Sequence, residues 1–476
     1  MAEWEAVIGM EVHVQLTTRS KMFCRCPSDY LGKPPNSNVC PICLGMPGVL
    51  PVINAAAVEQ GVRSALALDC TIAGVTKFDR KNYFYPDIPK GFQISQYDLP
   101  MSREGGIEIN GRRIGITRVH LEEDTGRLAH AGEQLHLARE SYVDLNRSGM
   151  PLMEIVSEPD LRSAEEARDY AMELRSIMRA IGASEADMEK GQLRAEANVS
   201  VRRAGSTELG VKTELKNINS FRALQRAIDY EVRRQVEELE SGRQVVQETR
   251  GWSEAEQRTF SQRSKEHAHD YRYFPEPDLP PLELSPGWVE EVRRSLPELP
   301  AARRHRLSAE HGLSAYDAGL IGEDASVSGY FEAVVSAGAP AKQAANWIVG
   351  SLLASPQAPR PESAQLARLI RLVTSGQINR EQAQLVLQEM QASGRPADEI
   401  VSERGLAQVS DEAELAALID EVIAADPKAA ADYRAGKQQA IGALLGQVRQ
   451  RSGGKANLAL AGELMRRRLS GSPPAT

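Results

Sequence analysis

Four cysteines near the start of the chain have the spacing of a metal site. Cys24 and Cys26 are followed by thirteen other residues and then by Cys40 and Cys43. Two tight turns that each carry two thiolates suit a closed tetrahedral zinc site, which leaves no open position for a substrate. We therefore expect a structural zinc ion, with four unrelated reduced cysteines as the alternative. Cys70 stands alone and is expected to pack in a hydrophobic core.

A second group of residues could bind magnesium and phosphate. Glu11 and His13 point the same way from a predicted strand, and residues 120–124, with the sequence HLEED, place further carboxylates at the end of another. Carboxylates with a histidine are suitable hard ligands for Mg²⁺. A solvated acidic loop beside an unrelated surface histidine is the alternative interpretation. Cations that could bind phosphates surround the aromatic run 82–86; they are Lys77, Arg80, Lys81 and Lys90.

Strand-like alternation predicts how these groups are positioned. Apolar and polar side chains alternate over residues 7–16, so the acidic and histidine side chains share one face and the apolar side chains share the other. Asn110-Gly111 lies between two further alternating stretches and is a strong hairpin signal, which favours a largely antiparallel sheet. Residues 192–202 alternate as well, and their polar face carries Arg194, Glu196 and Asn198. A sheet face that gathers these groups would hold what phosphoryl transfer needs.

Helix-start signals and a change in the periodicity of apolar residues predict the order of the domains. Ser163 with Glu166 precedes an amphipathic stripe as a capping box does, and Asn379 with Gln382 is a second such pattern. After the proline-rich stretch 275–286, helical periodicity replaces strand-like alternation. We expect an α+β chain with a mainly antiparallel sheet domain at 1–292, an all-α domain at 293–404 and an all-α tail at 405–476.

The composition excludes several classes of protein. The chain has 476 residues, of which 42% are hydrophobic, and no stretch approaches the roughly 20 consecutive apolar residues of a membrane helix. The acidic N-terminus lacks a secretory pattern and the cysteines fit a reducing compartment, so we expect a cytoplasmic protein. The net charge is −8, but residues 431–476 carry eight basic and two acidic residues, and such a basic tail could bind nucleic acid.

The common nucleotide-binding loops and nucleophile motifs do not occur in the sequence. It has neither the Gly-x4-Gly-Lys-Ser/Thr loop nor the Gly-x-Gly-x-x-Gly fingerprint, so any ATP must bind on the sheet. It also has no Gly-x-Ser-x-Gly elbow, no Gly/Ser-rich amidase-type loop and no cysteine placed as a nucleophile. If the reaction uses ammonia, that ammonia must come from elsewhere.

A series of long motifs carries a resemblance to a known family. They are residues 8–16 (IGMEVHVQL), the four cysteines continuing into 44–51 (LGMPGVLP), and residues 78–96, 120–124, 143–156, 214–220, 270–278 and 345–347. In this order they resemble the B subunits of the tRNA-dependent amidotransferases, the GatCAB enzymes. The motifs extend over the chain as far as the tail.

The resemblance implies a cradle-like N-terminal domain related to the catalytic fold of glutamine synthetase, followed by a helical domain and a tRNA-binding tail. It also implies ATP and Mg²⁺ at the cradle. The implied metal ligands are Glu11, His13, Glu123 and Glu154, and Glu196 matches a position where the family pattern has aspartate. Catalytic roles are implied for Lys81 and Lys90, and cofactor-binding roles for Lys77, Arg80, Glu214 and Lys216. Arg194, Glu196 and Asn198 are expected to line the route of ammonia.

The tail and the partners follow from the same resemblance. Residues 446–457 keep the glycines, lysine and asparagine of the family pattern, whereas Leu458 replaces an expected proline. The implied tRNA-binding residues are Lys437, Arg449, Lys455, Asn457, Arg466 and Arg467. The implied partners are an amidase (the A chain of the GatCAB heterotrimer), a small C chain, mischarged tRNA(Gln) or tRNA(Asn), and the cognate aminoacyl-tRNA synthetase; no membrane is expected.

The implied reaction is activation of a carboxylate. ATP phosphorylates the side chain of Glu or Asp esterified to tRNA, and ammonia then displaces phosphate; the sequence leaves open whether Glu-tRNA, Asp-tRNA or both are substrates. A small-molecule ligase of the glutamine synthetase type would share the metal-rich sheet without needing the basic tail. A non-catalytic RNA-binding module that contains zinc is the second alternative.

Overall fold

A nine-stranded sheet is the centre of the first three hundred residues. The structure is a computed structural model that describes residues 3–130, 140–264, 271–406, 412–453 and 456–470. It divides into two units, Met1–Leu299 and Pro300–Thr476. The expected α+β class is confirmed. In chain order the strands are β1 (Trp4–Gln15), β2 (Thr71–Ile72), β3 (Val75–Thr76), β4 (Asp79–Asn82), β5 (Phe92–Ser95), β6 (Ser102–Ile109), β7 (Arg112–Glu123), β8 (Arg127–His130), β9 (Ser141–Asp144), β10 (Pro151–Ser157), β11 (Leu193–Arg203), β12 (Thr213–Lys216), β13 (Glu248–Ser253), β14 (Arg258–Ser264), β15 (Phe274–Pro275) and β16 (Leu282–Glu283).

The large sheet has the strand order β14-β13-β12-β11-β1-β10-β7-β6-β2. Neighbouring strands are antiparallel except β12 and β13, so the expected antiparallel character is confirmed. The predicted hairpin joins β6 and β7 at Asn110 and Gly111, whose φ values of 51° and 77° fit a type I′ turn. A smaller sheet has the order β15-β4-β5, and two pairs are β16-β3 and β8-β9.

Helices bury the apolar face of the large sheet. Ile8, Met10, Val12 and Val14 of β1 are at most 1% exposed and belong to one core with the helices. The predicted stripe after Ser163 is buried in the same core, as is Cys70, so both expectations are confirmed. This packing leaves the other side chains of the central strands on the opposite face. The helices of this unit are α1 (Ala55–Ala67), α2 (Ala164–Ala180), α3 (Phe221–Glu240) and α4 (Pro286–Arg294).

The second unit is helical throughout its described residues. The capping box of Asn379 and Gln382 is confirmed at the start of its sixth helix. One hydrophobic core includes residues between Leu307 and Val401, and another includes residues between Leu415 and Leu469. Division of this unit near residue 405 stays a prediction. The helices are α5 (Pro300–His311), α6 (Ala315–Gly322), α7 (Ala325–Ser336), α8 (Ala341–Trp347), α9 (Ser363–Thr374), α10 (Arg380–Ser393), α11 (Ala397–Glu403), α12 (Glu412–Ala425), α13 (Pro427–Arg434), α14 (Ala440–Arg451) and α15 (Leu458–Ser470), with a π-helical segment at Ile348–Leu352.

Across the described residues, no helix combines the length and the apolar character needed to cross a membrane.

A fully buried carboxylate joins α3 to the edge of the large sheet. Glu231 accepts hydrogen bonds from Thr213 Oγ1 of β12 at 2.7 Å, from Thr259 Oγ1 of β14 at 3.0 Å and from Gln235 Nε2 at 3.0 Å. Arg234 supplies the balancing charge at 2.6 Å. This network fixes β12 against α3 and β14.

We predict that Glu231→Leu lowers the free energy of unfolding by about 3–5 kcal/mol, because it leaves a partly buried arginine and two buried hydroxyl groups without their acceptor. Denaturant unfolding followed by tryptophan fluorescence measures the effect. Glu237→Gln changes an exposed carboxylate on the same helix and is the control. Equal midpoints for the two variants would contradict the prediction.

Candidate active site and metal centre

The polar face of the large sheet is formed by five adjacent strands. The register pairs His13 of β1 with Arg194 of β11 on one side and with Glu154 of β10 on the other, and Glu154 in turn pairs with His120 of β7. Directly paired residues of an antiparallel sheet lie on the same face, so these four side chains form a row across the strands. The side chains that define this face are Glu11, His13, His120, Glu122, Glu154, Arg194, Glu196, Asn198, Glu214 and Lys216.

Two histidines and three carboxylates stand close together on the polar face. His13 Nε2 lies 3.4 Å from Glu154 Oε2, 3.7 Å from Glu11 Oε1 and 3.8 Å from Glu122 Oε1. His120 Nε2 lies 3.6 Å from Glu154 Oε2 and 3.9 Å from Glu122 Oε2. Two overlapping sets of three donors, each within 4.8 Å, share Glu154. Such a set of oxygen and imidazole donors could hold a divalent cation.

The charges of this cluster lie close enough to shift one another's pKa values. Burial opposes a charge on His13, but its hydrogen bond to Glu154 and the charges of Glu154 and Glu122 outweigh burial and raise its pKa to about 9. Burial and the nearby Glu154 charge raise the pKa of Glu11. His13 Nδ1 is buried without a hydrogen-bond partner among the described residues. A concentration of carboxylates with one unsatisfied imidazole nitrogen fits a cation site, since a bound cation removes the repulsion.

Lysines balance part of this negative charge. Lys216 Nζ lies 2.6 Å from Glu196 Oε2 and 3.4 Å from Glu214 Oε1. Lys81 Nζ lies 5.1 Å from the centre of the Tyr271 ring, and despite burial the charge of Glu122 raises the pKa of Lys81. Both lysines therefore remain protonated beside the acidic cluster.

Glu123 does not join Glu11 and His13, and the expectation that it would is wrong. It follows Glu122 in β7, and adjacent residues of a strand point to opposite faces. Glu123 instead forms an ion pair with Lys90 and accepts a hydrogen bond from Ile94 N at 2.9 Å. Glu122 and His120 take the expected place, and the alternation within residues 120–124 is the sequence signal that could have identified them.

Three of the four predicted phosphate-binding cations lie away from the polar face. Lys77 forms ion pairs with two aspartates, Asp79 and Asp98. The Arg80 guanidinium donates to both oxygens of Glu276, at 2.7 and 2.8 Å, and points to the face of β4 opposite Lys81. Lys90 is held by Glu123 as described. Of these four cations, Lys81 is the one that lies beside the carboxylates of the polar face.

Arg80, Lys90 and Glu123 line a separate cavity of about 250 Å³. Cys24 and Cys43 lie in its wall, together with Phe92 and Ile94 of β5. The cavity therefore adjoins the cysteine segment on the opposite side of β7 from Glu122 and His120.

The four predicted cysteines converge on one point. Their sulfur atoms all lie within 4.8 Å of one another, and the Sγ atoms of Cys40 and Cys43 are 3.8 Å apart. Four thiolates around a zinc ion, each at about 2.3 Å, would be about 3.8 Å apart. A hydrogen bond from Cys24 lowers the pKa of Cys43 to about 5. Fully buried Lys21 lies 3.8 Å from Cys43 Sγ, and the four residues fit a zinc ion.

Comparison with known proteins identifies the family. Residues 6–290 match the model of the GatB/GatE catalytic domain, and residues 329–469 match that of the GatB domain. The chain is 53% identical to the B subunit of the aspartyl/glutamyl-tRNA(Asn/Gln) amidotransferase of Moorella thermoacetica, over 98% of this chain and 100% of that protein. It is 50% identical to the same protein of Dehalococcoides mccartyi strain CBDB1, over 98% of this chain and 99% of that protein. The chain belongs to the GatB family.

Members of the GatB family are subunits of amidotransferases, which is the enzyme class expected for this chain. Residue 196 is a glutamate in this chain, and its ion pair with Lys216 neutralises its charge. Asn198 pairs in register with Gly9 of β1 and with Glu214 of β12, which places it beyond the acidic cluster.

Four of the predicted tRNA-binding residues of this GatB chain are exposed in the second unit and a fifth, Asn457, is half-buried; the four are Lys437, Arg449, Arg466 and Arg467. Lys437 forms an ion pair with Asp432 at 2.9 Å, and Asn457 accepts a hydrogen bond from Leu460 N at 3.2 Å. Arg449 and Arg467 have glutamate partners at 3.5 and 2.6 Å, and Arg466 is exposed. Lys455 lies outside the described residues. The ion pairs of Lys437, Arg449 and Arg467 are exposed, and such pairs are weak enough to exchange for contacts with phosphate.

We predict about one zinc ion per chain in the purified protein, and loss of that zinc in Cys43→Ala with a lower melting temperature. A closed structural site contributes to folding before it contributes to chemistry. Elemental analysis and thermal unfolding measure the two effects. Cys70→Ala removes a buried thiol elsewhere in the core and should keep the zinc. A stable, fully active protein without zinc would exclude the proposed site.

Proposed function

We propose that this chain uses ATP to phosphorylate the side-chain carboxylate of Glu or Asp esterified to tRNA(Gln) or tRNA(Asn), after which ammonia displaces the phosphate. A carboxylate is a poor electrophile until one of its oxygens becomes a leaving group. The observation that carries the proposal is the row of His13, Glu154 and His120 with flanking lysines on one sheet face, in a chain of the GatB family.

Glu11, His13 and Glu154 would hold Mg²⁺, with Glu122 and His120 adjacent to them. When bound, Mg²⁺ neutralises phosphate charge and thereby stabilises the developing charge of phosphoryl transfer. The same carboxylates repel a free phosphate, so the cluster selects for nucleotide that arrives with its cation. Their fixed positions on a sheet keep the geometry preorganised.

The cations of the polar face would orient the reacting oxygens. Lys81 and Lys216 remain charged beside the cluster and can attract the phosphates of ATP. Glu214 accepts a hydrogen bond from Thr249 Oγ1 at 2.7 Å, which keeps β12 and its Lys216 in place. Lys77, Arg80 and Lys90 are engaged elsewhere, so we assign them no contact with ATP.

Ammonia would come from a partner amidase, joined with this chain and a small third protein in a heterotrimer. Ammonia that reached bulk water would become ammonium and lose its nucleophilic lone pair, so a closed route between the two sites is the physical expectation. Arg194, Glu196 and Asn198 remain predictions for its lining. The basic tail would bind the backbone of tRNA, since phosphate contacts supply sequence-independent affinity.

We predict that Glu154→Gln lowers tRNA-dependent ATP hydrolysis at least about 100-fold, because both donor sets of the cluster share this carboxylate. Phosphate release by the assembled complex with mischarged tRNA measures it, and glutamine hydrolysis by the partner amidase should persist. The control is Glu108→Gln, an exposed carboxylate of β6. Hydrolysis at the wild-type rate would show that the cluster binds no catalytic cation. If the wild-type complex hydrolyses ATP without tRNA, the result would favour a small-molecule ligase. If it hydrolyses no ATP at all, the result would favour an RNA-binding module.

For the tail, we predict that Arg466→Gln combined with Arg467→Gln weakens binding of tRNA and flattens the dependence of log affinity on log salt. Each lost phosphate contact should reduce the magnitude of the slope by about 0.7–0.9, because binding of tRNA then releases fewer counterions. Filter binding at several salt concentrations gives the slope. Arg368→Gln changes an exposed arginine of α9 and is the control. An unchanged slope in the double variant would mean that these arginines do not contact phosphate.

A further inference from the structure

The guanidinium group of Arg194 is hydrogen-bonded on one side and partly exposed on the other. Its Nη1 and Nη2 groups donate to the two carboxylate oxygens of Asp124 at 3.0 and 3.1 Å. A guanidinium has five N–H donors, and Arg194 makes no other hydrogen bond to the described residues. The side chain is 31% exposed although it lies in the row with His13. Three donors therefore remain for a ligand at the polar face.

Asp124 is itself fixed by residues behind it. It is 3% exposed, and it accepts hydrogen bonds from Gln15 Nε2 at 2.7 Å and from Thr125 N at 2.9 Å. Gln15 in turn accepts a hydrogen bond from Tyr30 Oη at 3.2 Å. Tyr30 lies in the loop between the two pairs of cysteines and is 7% exposed. A buried chain of side chains thus runs from the cysteine loop to Arg194.

We propose that Asp124 is a positioning residue that holds Arg194 to bind an oxyanion of the reacting group, and that Gln15 and Tyr30 hold Asp124. The oxyanion is either the side-chain carboxylate of the aminoacyl group or the phosphoryl group transferred to it. This inference rests on the proposed function and assigns Arg194 to binding of the reactant rather than to a route for ammonia.

The chemistry of the pair supports this assignment. A planar guanidinium binds carboxylate and phosphate oxygens through parallel N–H bonds, which an ammonium cannot reproduce. Without Asp124, the nearby Glu122 and Glu196 would compete for Arg194, since their charges act on it as well. Asp124 therefore keeps the guanidinium at a fixed place beside an acidic cluster that would otherwise attract it.

The decisive experiment is chemical rescue in the assembled complex. Arg194→Ala should lower the maximal rate of tRNA-dependent ATP hydrolysis about 100- to 1000-fold, the usual loss for a donor to a developing oxyanion. Added guanidinium chloride at millimolar concentration should restore part of that rate. In Arg194→Ala combined with Asp124→Asn, the same addition should restore none, because the carboxylate that captures the guanidinium is gone.

Steady-state analysis of Arg194→Lys distinguishes the two sources of the oxyanion. A raised KM for mischarged tRNA would indicate the carboxylate, and a raised KM for ATP would indicate the phosphoryl group. Either result supports the proposal, whereas wild-type values of both KM and kcat would contradict it.

A double-mutant cycle and a matched control complete the test. Asp124→Asn and Arg194→Ala act through one pair, so the combined variant should lose no more activity than the worse single variant. Arg202→Ala removes an arginine on the same face of β11 that pairs with Glu5 at 2.8 Å, and it should leave the rate unchanged. Glutamine hydrolysis and zinc content should stay at wild-type levels throughout.

Rescue that is equal in the two backgrounds, or single losses that multiply in the combined variant, would overturn the proposal. If Asp124→Asn does not assemble, Tyr30→Phe replaces it, since loss of the hydroxyl loosens the same chain and should weaken the rescue. A wild-type complex that releases no phosphate would instead overturn the proposed function and leave the positioning of Arg194 without a reaction to serve.

Discussion

The arrangement of this molecule depends on the two-residue period of β1 and on the register of its two neighbours. Because β10 and β11 both pair with β1, residues more than a hundred positions apart meet beside His13. A shift of the register by one residue would turn every polar side chain into the helical core and every apolar one out of it. Burial of the apolar face under α1, α2 and α3 makes such a shift costly, so the hydrophobic core determines the register that assembles the candidate active site.

The fold holds like charges close together on the polar face, although they repel one another. Glu11, Glu122 and Glu154 are close enough to repel one another, and burial makes the repulsion stronger. Lys81 and Lys216 offset part of that charge. A site in this condition gains free energy when a divalent cation binds, which is the physical reason to expect nucleotide and cation there together.

Strand β7 places residues that are adjacent in the sequence in two different environments. Glu122 faces His13, whereas Glu123 faces Lys90, the cavity and the cysteine segment. The next residue, Asp124, returns to the polar face and holds Arg194. One short acidic run thus serves three different purposes, and the loop that the cysteines organise reaches the candidate active site through Tyr30 and Gln15.

The sequence by itself determined the α+β class, the hairpin at Asn110 and Gly111, the convergence of the four cysteines and the shared face of Glu11 and His13. These features are local, because spacing and alternation fix them within a few residues. It could not decide which of Glu122 and Glu123 stands beside His13, nor which of four cations lies at the cluster. Those choices depend on the pairing of distant strands and on ion pairs such as that of Arg80 with Glu276, 196 residues away. Only the tertiary structure brings such partners together, because the energy that selects them comes from burial of the whole sheet.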